Sequence, residues 1–249
     1  MQRYFIQLAF KGTKYHGWQI QQNAHSVQAE LEHGLSTVFE EKIESTGCGR
    51  TDTGVHARDF WAHFDAGRTD LTHPDLVFKL NTFLPKDLAV KRIIKVSETT
   101  HARYDALSRT YKYYITLKKD AFNYDTAYYL YGSLDIQIMN KAAAILFDYT
   151  DFSCFSKTGT QVKTNICKIY QAEWYINGEM LIFNITADRF LRNMVRAIVG
   201  TMIDVGKNKL SLDDFRQVIE NKNRSQAGFS VPACGLFLEN VAYPEGLIS

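Results

Sequence analysis

The sequence predicts an α+β protein built from two similar halves, each with a mostly antiparallel sheet and helices on one face. Two observations lead to this fold class. Across the 249 residues, segments with alternating apolar residues and segments with apolar residues at helical spacing follow one order twice: strand, helix, two strands, helix, strand. A polar stretch without a clear period, residues 97–108, lies between the two series. We therefore divide the chain into halves at 1–105 and 106–249.

The elements of the first half follow from alternation, capping and proline positions. Ser26 is predicted as an N-cap because apolar residues recur at helical spacing after it, from Val27 to Phe39. Pro74 suits the first turn of a second helix, which Pro85 ends. The predicted strands cover residues 3–10, 42–46, 59–65 and 88–96.

The second half repeats this outline without repeating the residues, so the likeness is one of topology. Asn177-Gly178 is a strong signal for a tight hairpin between two strands. Ser211 is predicted to cap a short helix over residues 212–220. The other predicted elements are helices over residues 135–147 and 189–205 and strands over 110–117, 165–176, 180–187 and 234–241.

The composition is that of an ordinary folded protein, with 45% hydrophobic and 22% charged residues. A net charge of +2 says little about partners, so a basic surface has to be found by position. The four cysteines form no C-x-x-C pair, which argues against a zinc knuckle. No apolar run approaches the ~20 residues that a membrane span needs. We expect a cytoplasmic protein with free thiols, no membrane segment and no metal.

The stretch from Cys48 to Arg58, CGRTDTGVHAR, is the first candidate for a site. It joins two predicted strands and is longer than the two to five residues of a usual hairpin loop. Phosphate-binding, dinucleotide-binding and nucleophile-elbow motifs are absent, so side chains alone must supply any chemistry. Asp52 is then the leading candidate for a covalent or acid–base carboxylate. The alternative is a solvated loop in which the glycines make turns and Asp52 caps one of them.

The predicted helix at 189–205 carries a second candidate. Arg189, Arg192 and Arg196 recur at spacings of three and four, which places them on one side of that helix. Such a row of cations can contact successive phosphates of a nucleic acid. A solvated basic face is the alternative interpretation.

Two tyrosines on the strand that opens the second half form a third candidate. Tyr111 and Tyr113 are two residues apart and therefore face the same way, while Lys112 and Tyr114 face the other way. A tyrosine there either packs in the core or offers a stacking surface, worth about 1–3 kcal/mol per nucleic-acid base. Because one face of the sheet must be buried, one of the two tyrosine sets is expected in the core.

A metal-dependent hydrolase is a weaker hypothesis. It would use His56 and His63 with Asp52 or Asp65 as ligands. No H-x-x-x-H or H-E-x-x-H spacing brings the histidines onto one face, so we expect no metal. A non-catalytic RNA-binding protein with the same basic and aromatic residues is the other alternative.

The chain resembles the tRNA pseudouridine synthase A family in five stretches that occur in the family's order. Residues 49–57, GRTDTGVHA, resemble its signature loop. The others are GWQ at 17–19 with Gln21, R-x-Y-x-Y at 109–113, F-L-x-x-M-V-R-x-x-x-G at 190–200, and a carboxy-terminal pattern at 227–236. One departure is Asn193, where many members carry histidine. The resemblance covers essentially the whole chain.

The resemblance implies the pseudouridine synthase fold, with a cleft between the halves. It also implies conversion of uridine to pseudouridine at positions 38, 39 and 40 of the tRNA anticodon stem and loop, without cofactor or metal. Asp52 corresponds to the essential aspartate, and the resemblance leaves open whether it attacks the nucleoside or removes a sugar proton. Tyr111 corresponds to the tyrosine that stacks on the target base. Arg196 corresponds to the basic partner of the aspartate, which favours the ionised carboxylate.

Partners are implied in the same way. The expected partner is tRNA, contacted by both subunits of a homodimer. The predicted substrate-binding residues are Tyr111, Arg50, Arg189, Arg192 and Lys14.

Overall fold

The computed structural model describes residues 1–157 and 164–248, and this part of the chain contains nine strands and five α-helices. The strands are β1 (Gln2–Phe10), β2 (Ser45–Gly47), β3 (His56–Ala66), β4 (Leu88–Lys95), β5 (Ser108–Thr116), β6 (Tyr128–Tyr129), β7 (Ile169–Asn177), β8 (Met180–Ala187) and β9 (Leu236–Ala242). The helices are α1 (Val27–Phe39), α2 (Pro74–Phe83), α3 (Ile136–Ile145), α4 (Met194–Gly206) and α5 (Leu212–Glu220). The predicted α+β class is confirmed.

The chain forms two units, and the first takes in residues from both ends. It contains Met1–Leu107 and the segment from Phe237 onwards, while the second contains Ser108–Leu236. The return arises because β9 pairs in parallel with the start of β3, through His56 with Phe237 and Ala57 with Leu238. The division predicted from the sequence, at residue 105, assigns the residues from Phe237 onwards to the second half instead.

The sheet of the first unit is antiparallel except for β9. β1 lies between β3 and β4, and β2 pairs with β3. Helices α1 and α2 contact each other, and Phe39 of α1 packs against Phe64 of β3. The other side of β3 presents Trp61, which lies edge-on to Tyr243 of the returning segment. Both faces of β3 are therefore buried, which makes this strand a firm base for the loop that precedes it.

The sheet of the second unit has β8 between β5 and β7, with antiparallel pairing on both sides. Trp174 and Phe183 pack together in its core, with ring centroids 4.8 Å apart. Helix α4 is buried over most of its surface, as expected for a helix that is apolar nearly all round. Among the described helices, none has the length and apolar character that a membrane crossing requires.

Several local predictions are confirmed by the capping geometry. The Ser26 hydroxyl accepts the Ala29 N–H at the start of α1, and Pro74 occupies the first turn of α2. Ser211 and Asp214 form a reciprocal capping box at the start of α5. Gly178 has φ 60° at the turn between β7 and β8, as a tight hairpin requires.

The predicted helix over residues 189–205 is wrong in its first turn. Helix α4 begins only at Met194, because Asn193 adopts a left-handed backbone with φ 67° that a right-handed helix cannot include. Arg189 and Arg192 therefore precede the helix, and only Arg196 lies on it. The three arginines do not form a row along one helix face.

The strand boundaries near the candidate loop also differ from the prediction. β2 begins at Ser45, and β3 begins at His56 rather than at residue 59. The loop between them is therefore residues 48–55, which we call the Asp52 loop. It is shorter than expected, because His56, Ala57 and Arg58 belong to β3.

Candidate active site

The Asp52 loop is held at its entrance and inside it by backbone hydrogen bonds. Cys48 donates its N–H to the carbonyl of Trp61 at 2.7 Å, which ties the loop to the buried β3. Val55 donates its N–H to the carbonyl of Asp52 at 3.1 Å, and Gly54 has φ 78°. Residues 52–55 thus form a tight turn that needs glycine at its third position. The turn that the solvated-loop interpretation predicts is therefore present, and Asp52 is its first residue.

The Asp52 side chain is half-buried, whereas Arg50 beside it is exposed. Partial burial limits the directions in which a carboxylate can be approached, and so suits a group that meets a single reactant. Lys14, the last residue of a short 3₁₀ helix (Gly12–Lys14) after β1, is also exposed, and its Nζ lies 3.6 Å from the Asp87 carboxylate. The Lys14 side chain is 79% exposed and its ammonium group lies beyond hydrogen-bond distance of Asp87, so Lys14 is available to a phosphate.

The two tyrosines of β5 have different environments although they face the same way. Tyr113 is fully buried and its hydroxyl donates to the carbonyl of Pro232 at 2.7 Å. Burial raises the pKa of Tyr113, so it stays a neutral core residue. Tyr111 is half-buried, and its ring lies edge-on to Phe190 at 5.1 Å with an interplanar angle of 87°. The edge-on contact restricts the Tyr111 ring on one side, which suits a residue that stacks on a base.

Arg196 lies in the first turn of α4 and is half-buried. Its Nε donates to the carbonyl of Val231 at 2.7 Å, and the N–H of Val231 donates back to the carbonyl of Arg196 at 3.3 Å. The segment that carries Val231 thus orients the guanidinium group.

This segment is held by a group of side chains that no sequence motif indicates. Arg224 Nη2 donates to Ser230 Oγ at 2.8 Å, and Asn193 Nδ2 donates to the same oxygen at 2.6 Å. Arg224 also donates to the carbonyl of Gly228 at 3.1 Å. In the sequence, Asn193 stands out only as a departure from the family pattern. Its tolerance for a left-handed backbone is the signal that could have marked it as the residue before the helix.

Arg189 and Arg192 are placed by backbone contacts in the turn before α4. The Arg189 N–H donates to the Asp188 carboxylate at 2.7 Å, and the Arg192 carbonyl accepts the Lys157 N–H at 3.0 Å. The Arg192 residue is exposed and Arg189 is half-buried. Both are suitable for phosphate contacts, as two separate cations on a turn.

The histidines proposed as metal ligands serve the fold instead. His56 is buried and its Nδ1 accepts the Gly12 N–H at 2.9 Å. His63 Nδ1 accepts the Ala102 N–H at 3.1 Å. Burial, the Arg3 guanidinium and His101 together lower the pKa of His63 to about 4. Within residues 1–157 and 164–248, no three His, Cys, Asp or Glu side chains are grouped so that they could hold a metal ion.

The predicted site residues are divided between the units. Lys14, Arg50 and Asp52 lie in the first, and Tyr111, Arg189, Arg192 and Arg196 lie in the second. Two α+β units that carry an aspartate loop and a strand tyrosine agree with the class of pseudouridine synthases. Residues 7–105 and 142–244 match the model of one family of that class, the tRNA pseudouridine synthases.

Named relatives agree over the full length of the chain. The tRNA pseudouridine synthase A of Parabacteroides distasonis is 52% identical over 250 residues, covering 99% of this chain and 98% of that protein. The corresponding protein of Bacteroides fragilis is 53% identical, covering 98% of each chain. That of Bacteroides thetaiotaomicron is 54% identical, covering 100% of this chain and 93% of its own. This chain belongs to the tRNA pseudouridine synthase family.

Proposed function

We propose that this protein converts uridine to pseudouridine in tRNA, at positions 38, 39 and 40 of the anticodon stem and loop. The observation that carries the proposal is family membership along the whole chain together with an intact Asp52 loop. The relatives at about half identity are named for this activity on tRNA.

The reaction is an isomerisation and balances without a co-reactant. The N1–C1′ glycosidic bond breaks, the uracil turns, and a C5–C1′ bond forms. C5 then loses its proton and N1 carries one, so there is no net oxidation. Side chains that position the base, stabilise charge and move protons are sufficient for such a step.

We assign the central role to Asp52, as the carboxylate that attacks the nucleoside or removes a sugar proton. Tyr111 stacks on the target uracil, and its half-buried ring, edge-on to Phe190, supports this role. Arg196 supplies a cation to the reaction, and its hydrogen bond to the Val231 carbonyl supports a fixed orientation of the guanidinium group.

The target nucleotide has to leave the stacked stem before it can react, which costs a few kcal/mol. Stacking on Tyr111 and contacts from Lys14, Arg50, Arg189 and Arg192 to phosphates would offset this cost. Three adjacent targets with different neighbours call for recognition of shape and backbone rather than of base sequence. We further propose that the enzyme is a cytoplasmic homodimer and that both subunits contact one tRNA.

The test is to incubate the purified protein with unmodified tRNA and to map the pseudouridines. We expect them at positions 38, 39 and 40, with a rate that EDTA leaves unchanged. A protein that binds the tRNA but forms no pseudouridine would be a non-catalytic RNA-binding protein. Loss of activity in EDTA, restored by a divalent metal, would contradict the proposal that the reaction needs no metal.

A further inference from the structure

We propose that the segment Gly12–Trp18 is a positioning element for Asp52, and that Gly17 is its decisive residue. The inference rests on the proposed function, because it assigns Asp52 to the reaction. Apart from the side chain of Lys14, which we assign to a phosphate, the segment acts on the reaction through the Asp52 loop, and the function of its backbone is to hold that loop in place.

The segment contacts the Asp52 loop on both sides of the aspartate. Trp18 donates its N–H to the carbonyl of Thr51, one residue before Asp52, at 3.3 Å. Gly54, two residues after Asp52, donates its N–H to the carbonyl of Tyr15 at 3.3 Å. The Asp52 backbone is therefore held between two hydrogen bonds to one short stretch of chain.

Two glycines let the two backbones approach this closely. Gly17 has φ +90°, and a Cβ built on it would lie 2.3 Å from the Thr51 carbonyl oxygen and 3.2 Å from the Asp52 carbonyl carbon. A Cβ on Gly12 would lie 2.0 Å from the Val55 carbonyl oxygen. The colliding atoms are backbone, so they cannot turn away as a side-chain tip could. A methyl group at either glycine has to displace the Asp52 loop itself.

The segment is itself anchored in the core, so it can act as a rigid support. The Trp18 ring stacks on Phe60 of β3 with centroids 4.1 Å apart, and both are buried. Tyr15 is also buried, and its hydroxyl donates to the Asp87 carboxylate at 2.7 Å. The aromatic side chains point into the core, which leaves the backbone of the segment to meet the loop.

A support of this kind matters because reacting groups tolerate little displacement. A shift of about 1 Å in a catalytic group can lower the rate roughly a hundredfold. Gly17→Ala adds a collision and an unfavourable backbone conformation next to Asp52. We therefore expect it to lower the rate constant of a single turnover about 10- to 100-fold. The dissociation constant for tRNA should stay within about twofold, because no phosphate contact is removed.

The matched control is Gly178→Ala. Gly178 also has positive φ, +60°, but a Cβ there meets no atom within 4 Å. The control therefore also places an L residue at positive φ but adds no collision, and its single-turnover rate should equal that of the wild type. Gly12→Ala should behave like Gly17→Ala. A milder variant, Tyr15→Phe, removes only the bond to Asp87 and should lower the rate a few-fold without preventing folding.

Hydrogen exchange of the peptide that covers residues 48–56 gives a readout that does not require activity. We expect faster exchange in Gly17→Ala and Tyr15→Phe than in the wild type, and no change in Gly178→Ala. The inference is overturned if Gly17→Ala matches Gly178→Ala in both rate and exchange. It is also overturned if Gly17→Ala weakens tRNA binding while the saturated rate persists, because the backbone around Gly17 would then contact tRNA rather than hold the loop. Wild-type protein that forms no pseudouridine contradicts the proposed function, whereas the exchange comparison still decides whether the segment holds the loop.

Discussion

The Arg196 guanidinium is tied to the backbone of Val231, to which its Nε donates at 2.7 Å. The segment that carries Val231 lies directly against α4, since a Cβ on Gly200 would lie 1.8 Å from the Phe229 carbonyl oxygen. The position of Arg196 is thus determined by a helix and by a second piece of chain packed on that helix.

The substitution Arg196→Lys tests whether that geometry matters beyond the charge. Lysine keeps the positive charge but lacks the planar guanidinium and its Nε donor. A hydrogen bond from a charged group contributes about 1.5–3 kcal/mol, so we expect turnover to fall at least tenfold with tRNA affinity retained. Arg216→Lys is the control, because Arg216 forms an exposed pair with Asp148. Unchanged turnover in Arg196→Lys would show that charge alone suffices.

Substitutions at Tyr111 separate stacking from the hydroxyl. Tyr111→Phe keeps the ring and its edge contact with Phe190, so tRNA binding should be unchanged. Tyr111→Ala removes the ring and should weaken binding or turnover by the equivalent of about 1–3 kcal/mol. Tyr124→Ala serves as control, since Tyr124 is 75% exposed in the same unit. Equal kinetic constants for Tyr111→Ala and Tyr124→Ala would remove Tyr111 from the site.

Arg189 and Arg192 are predicted to act as separate phosphate contacts. Each alanine variant should weaken tRNA binding and lower the slope of log affinity against log salt by about one. Arg68→Ala, which removes an exposed partner of Asp70, should leave both quantities unchanged. If either arginine variant behaves like Arg68→Ala, that arginine is simply solvated.

His63 is predicted to make stability depend on pH. Its pKa is about 4 in the folded protein and about 6.5 in an unfolded chain, so between these values only the unfolded chain binds the proton. The free energy of unfolding should therefore fall as the pH is lowered through this window, by up to about 1.4 kcal/mol per pH unit. His63→Gln keeps an acceptor for the Ala102 N–H but does not titrate.

Urea unfolding of both proteins across this window measures the effect. His101 also has a lowered pKa, caused mainly by burial, and it titrates in both proteins. The stability of His63→Gln should consequently decline less steeply than that of the wild type. Parallel curves for the two proteins would contradict the prediction.

Local signals predicted most of the secondary structure correctly. Ser26 and Ser211 place the starts of α1 and α5 because capping depends only on residues within one turn. The predicted start of α4 is wrong because a single residue, Asn193, adopts a left-handed backbone inside a segment with helical periodicity. Asparagine tolerates that conformation, but its presence in a sequence does not show that the conformation is adopted.

Features that depend on distant residues could not be read from the sequence in the same way. The parallel pairing of β9 with β3 joins His56 to Phe237, and no periodicity encodes such a partner. Gly17 needs positive φ because of the Thr51 carbonyl, which is close only in the folded chain. The sequence indicated Asp52 as the candidate carboxylate by motif, but the contacts that hold it became visible only in the structure.

The substitution Asp52→Asn tests the central claim most directly. The variant and the wild type are incubated with unmodified tRNA, and pseudouridine is mapped while binding is measured on the same samples. Asparagine preserves size and polarity but is neither a carboxylate nucleophile nor a base. We predict no detectable pseudouridine from Asp52→Asn, tRNA affinity within about threefold of the wild type, and full activity in the exposed control Asp70→Asn. Formation of pseudouridine by Asp52→Asn at the wild-type rate would contradict the account.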